Sequence, residues 1–115
     1  MYLLVLILDR SADLENILTR FREIGVLGAT IFDSAGVGRT TLYGSDAPII
    51  ASLKRIIARQ AVYNHTMISV IKTRDTLDRA MDAAKEVVGD FTLPDRGIMF
   101  TIKLEDVVGF MEEQP

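Results

Sequence analysis

Two glycines flank a valine and precede an arginine in Gly36-Val37-Gly38-Arg39, one residue after the apolar stretch ATIFDS. Glycine reaches backbone conformations closed to other residues, so successive N–H groups around Val37 could turn toward one anion while Arg39 supplies charge. That would be a phosphate nest; the same residues also make an ordinary glycine turn. A dinucleotide fingerprint needs a third spaced glycine and a helix starting directly after it, and the sequence has neither.

Other reactive side chains are sparse. Lys54, Arg55 and Arg59 could extend an anionic site, although basic residues on the outside of an amphipathic helix ordinarily form a solvated face. His65 is the single histidine, and there is no cysteine, so one chain cannot build a two-histidine or thiolate metal site. His65 is expected to be structural or at the surface. Ser34, Ser45 and Ser69 have no base close in sequence, and the carboxylates are spread along helix surfaces, so no enzyme signature emerges.

The totals narrow the class. A chain of 115 residues fits one domain with a real hydrophobic core. With 49% hydrophobic and 25% charged residues it is globular rather than disordered, and a net charge of −3 argues against general nucleic-acid binding. Absence of cysteine suits a reducing compartment, so the cytoplasm is expected. The apolar opening Tyr2 to Leu8 lacks a basic leader and runs at once into Asp9 and Arg10, which predicts a core strand rather than a signal peptide or membrane span.

The elements that would position these residues follow from periodicity. After the first strand, Leu14, Ile17, Leu18, Phe21 and Ile24 form one helical stripe, with Ser11 as N-cap and Gly25 as the stop. A second strand is expected over Ala29 to Ser34, then a loop to Asp46, then a helix from Pro48 with Ile49, Leu53 and Ile56 on one face. TMISVIK reads as a strand, DTLDRAMDAAKEVVG as a helix burying Leu77, Ala80, Met81, Ala84, Val87 and Val88, and GIMFTIKL as the last strand. Without the inserted helix this is the βαββαβ ferredoxin-like pattern of an α+β domain. Beyond about Phe110 the acidic end is expected to fray.

The two main helices cover only one sheet face, yet Tyr2 to Leu8 shows no polar alternation and should be buried on both sides. The inserted helix could cover part of the other face. The commoner device is a symmetric assembly, so a closed homo-oligomer is expected.

Most of the chain also resembles the PII signal-transduction family, trimeric ferredoxin-like sensors of energy and nitrogen or carbon status. EIGVLGATIFDSAGVGR is similar to that family's helix end, second strand and T-loop base, and GIMFTIKLEDVVG to its last strand and the segment after it. The resemblance implies a homotrimer that binds nucleotide in clefts between subunits. Thr30, Gly36, Val37, Gly38 and Arg39 would line one part of the cleft. Asp95, Arg96 and Gly97 stand where the family has glycine–aspartate–glycine, but Ile98 replaces the phosphate-binding lysine, and the paired arginines fall on Gly109 and Met111. The long T-loop with its modifiable tyrosine gives way to a short turn around Tyr43, so uridylylation is not carried over.

The resemblance therefore implies a non-enzymatic regulator that takes a small anionic ligand, an adenine nucleotide being one candidate, and signals to an unidentified enzyme or transporter. No metal, nucleic acid or integral membrane segment is expected. Two alternatives stand beside it: a ligand-free structural or interaction trimer, and a divalent-metal-handling trimer of similar fold with ligands supplied across subunits.

Overall fold

A computed structural model of the chain describes residues 1–36, 47–58 and 63–111. Its elements are β1 (Tyr2–Leu8), α1 (Ser11–Glu23), β2 (Thr30–Ser34), α2 (Ala47–Ile57), β3 (Asn64–Ile71), α3 (Arg74–Val88) and β4 (Ile98–Lys103). The four strands form one antiparallel sheet in the order β2-β3-β1-β4, an α+β arrangement consistent with the ferredoxin-like pattern. β3 begins two residues before the expected Thr66, because β2 pairs back onto it as far as Ser34 opposite Asn64.

Side chains alternate across the sheet. On one face Leu4, Leu6 and Leu8 are fully buried beneath α1 and α3, where Ile17, Phe21, Leu77, Ala80, Ala84 and Val88 complete the core. Each large side chain buried there contributes about 2 kcal/mol. Leu18, Ile24, Met81 and Val87 pack partly buried at its margin, and Ala83, which the helical pattern did not single out, is buried as well.

The helix ends are fixed locally. α1 stops in a Schellman turn: Val26 N–H donates to the Phe21 carbonyl at 2.9 Å and Gly25 N–H to Arg22 at 3.3 Å, with Gly25 at φ +89°. At the other end Arg10, not Ser11, is the N-cap residue, and its side chain makes no capping bond. Ser11 is the first helical residue, and its hydroxyl turns instead to His65. Thr73 caps α3 through its hydroxyl, which accepts from Thr76 N–H at 3.2 Å.

The opposite sheet face is also apolar. The register sets Leu3 beside Ile102, Val5 beside Phe100 and Ile7 beside Ile98, with Ile68 and Val70 on the neighbouring strand. Of these apolar side chains only Val5 is buried in the single chain; Phe32, Ile98, Phe100 and Ile102 are each 41 to 54% exposed. Neither α2 nor any other described element seals this face.

Candidate functional site

The expected anion-binding residues lie at two edges and two ends of the sheet. Gly36 follows β2, an edge strand, and sits beside Asn64 at the start of β3. There Ser34 donates to the Asn64 carbonyl oxygen, and the Ser34 and Thr66 hydroxyls are 2.6 Å apart. Gly36 is not in the left-handed region, and a Cβ on it would meet only Asn64 Nδ2 at 3.9 Å. Gly36 does not use the conformational freedom that glycine alone has: its backbone and surroundings admit a side chain. Val37, Gly38 and Arg39 lie outside the described residues, as do Tyr43 and the rest of the turn before α2.

Asp95, Arg96 and Gly97 lead into β4, the opposite edge strand. Asp95 has φ +62°, a conformation that glycine adopts freely and that aspartate tolerates better than most residues. Gly97 has φ +115°, and a Cβ there would stand 2.1 Å from the Ile7 carbonyl oxygen. Only glycine lets β4 approach β1 at this point. Arg96 turns back to α3, where Nη1 donates to the Val88 carbonyl at 2.8 Å, so its charge neutralises the helix C-terminus. In the same loop the Asp90 carboxylate accepts from the Thr92 hydroxyl at 2.5 Å and the Thr92 N–H at 2.9 Å. These donors, with Arg96 nearby, hold the Asp90 carboxyl below its ordinary range.

Gly36 and Gly97 thus share one end of the sheet but occupy its two outer strands, separated by three strand spacings, roughly 14 Å. Within one chain they do not converge. Thr30 is exposed at the start of β2 and lines a separate cavity of about 700 Å³ at the other end. Gly28, Ser69, Thr73 and Val108 also line that cavity, and Ser69 donates to the Gly28 carbonyl at 2.5 Å. Gly109 and Met111, which stand in place of the expected arginines, lie on its wall and bring no charge. Ile98, in place of the expected lysine, is 54% exposed on the open apolar face.

One constellation escaped the sequence reading. His65 Nε2 lies 2.9 Å from Ser11 Oγ, and His65 Nδ1 lies 3.2 Å from Asp33 Oδ1. Strand register explains it: Leu8, His65 and Asp33 stand side by side across β1, β3 and β2, and α1 begins three residues after Leu8. The partners are too far apart in sequence for a local motif; only the β2–β3 pairing could have revealed them. Among the described residues no group of three or more histidines and carboxylates could hold a metal ion. Nor is any described helix long and apolar enough to cross a membrane.

The family model described as nitrogen regulatory protein P-II covers residues 1–114. No curated protein matches significantly. Proteins of the matched family are regulatory, and they are typically trimers that bind partner proteins. With the antiparallel α+β sheet and a match over almost its full length, the chain belongs to the nitrogen regulatory protein P-II family and is a regulatory signalling protein.

Proposed function

We propose that the protein is a homotrimeric cytoplasmic sensor that binds a small anionic ligand, such as an adenine nucleotide, in clefts between subunits and reports occupancy to a protein partner. The observation that carries this reading is the placement of Gly36 and Gly97 on opposite edge strands at one end of the sheet. Residues so placed contribute to one pocket only when the edges of neighbouring copies meet. The apolar face presented by Phe32, Ile98, Phe100 and Ile102 supplies the surface for that meeting. Occupancy is reported through the segment around Thr40 to Asp46, between β2 and α2 in the chain. Signalling is a population shift between loop states and requires no turnover.

A thermal-shift panel of adenine nucleotides, cyclic nucleotides and 2-oxoglutarate on the purified protein tests this reading, because a ligand that binds only the folded state raises apparent stability. A shift from one nucleotide that is lost in Arg39→Ala supports the sensor. Silence across the panel from an intact trimer supports the second reading, a ligand-free interaction scaffold. Ile98, Gly109 and Met111 favour that alternative, since each leaves an expected cation missing.

A further inference from the structure

Ser11, His65 and Asp33 stand in a chain of hydrogen bonds, 2.9 Å from Ser11 Oγ to His65 Nε2 and 3.2 Å from His65 Nδ1 to Asp33 Oδ1. A carboxylate accepts only, so the proton shared with Asp33 belongs to Nδ1. Nε2 then carries the lone pair and accepts from the Ser11 hydroxyl. This is the tautomer and order of contacts in which a histidine removes a serine proton. Ser11 is the first residue of α1 and Arg10 provides no side-chain cap, so the positive end of the helix lies beside the hydroxyl. First-turn N–H groups have no carbonyl partner within their own helix and are suited to an oxyanion forming there.

We propose that Ser11, His65 and Asp33 form a nucleophilic serine site that accepts small, unhindered acyl esters. Ser11 Oγ attacks the ester carbonyl carbon and passes its proton to His65 Nε2. A new Oγ–C bond forms, and the ester C–O bond breaks as His65 returns the proton to the departing alcohol. Water then gives a proton to His65 and its hydroxyl to the acyl carbon, the Oγ–C bond breaks, and Ser11 regains its proton as the carboxylic acid leaves. Asp33 is a positioning residue that fixes the imidazole tautomer. Exposure of Ser11 at the surface suits a short acyl group such as acetyl.

The test treats the full-length protein with a fluorophosphonate probe and locates the adduct by peptide mass spectrometry, with 4-nitrophenyl acetate hydrolysis as a second readout. The expected result is an adduct on Ser11 that forms in the folded protein but not in urea, and that Ser11→Ala abolishes. Both readouts fall at least about tenfold in His65→Gln and Asp33→Asn, and Asp33→Glu restores part of the loss. Circular dichroism verifies that each variant is folded. No Ser11 adduct on the folded wild-type protein, or equal labelling of folded and urea-treated protein, overturns the proposal. Undiminished labelling in folded His65→Gln overturns it as well.

Discussion

Gly97 passes so close beneath Ile7 that a Cβ on it would lie 2.1 Å from the Ile7 carbonyl oxygen, and its φ of +115° already excludes most residues. Gly97→Ala is therefore expected to cost on the order of 3 kcal/mol, combining backbone strain with displacement of β4 from β1. Chemical denaturation would show a lower midpoint. A matched Gly36→Ala variant should lose less than about 0.5 kcal/mol, since a Cβ there makes an ordinary contact.

Arg96 holds the end of α3 through the Val88 carbonyl. Arg96→Ala should lower stability by about 1 kcal/mol through loss of a charge-assisted hydrogen bond at a helix C-terminus. Thermal unfolding without ligand checks this, and separates the structural role of Arg96 from any contribution to anion affinity.

The open sheet face gives a prediction about assembly. Phe100→Lys places a charge amid Val5, Ile98 and Ile102 and should convert the proposed trimer to monomer while circular dichroism remains that of a folded chain. Light scattering coupled to size exclusion measures the mass directly. Leu6→Ala on the opposite face should instead cost about 3 kcal/mol of chain stability, because Leu6 is fully buried under the helices.

Asp90 provides a test in acid. Its carboxyl is held low by the Thr92 hydroxyl first and the Thr92 N–H second. A carboxylate whose folded pKa is depressed stabilises the fold above its unfolded pKa, and that contribution disappears as pH falls through the folded value. Thr92→Ala removes the larger cause, so the Asp90 titration followed by carbon NMR should move up toward the ordinary range.

Much of the fold was legible because it is written in short-range periodicity. The stripe Leu14, Ile17, Phe21 and the run Tyr2 to Leu8 each identify an element without reference to the rest of the chain. The expectation of an apolar second sheet face also followed from that run, since no polar residue interrupts it. Contacts set by register or by a turning side chain were not legible. Arg96 reads as a free cation beside a glycine until α3 is seen ending against it. Ser11 reads as a cap until β3 brings His65 within reach of its hydroxyl. Gly36 and Gly97 look alike in sequence, yet only Gly97 meets a backbone that forbids a side chain.

A sheet sealed on one side alone has a consequence for how the molecule is maintained. In the proposed trimer, covering Phe32, Ile98, Phe100 and Ile102 by other copies adds association free energy to the stability of the folded chain, so the melting temperature climbs with protein concentration. In that assembly an unassembled protomer exposes these four apolar side chains to water, whereas an assembled one buries them. If the proposed trimer is the signalling form, the same coupling ties signal capacity to abundance, because near the dissociation constant halving the supply of chains removes more than half of the complete trimers.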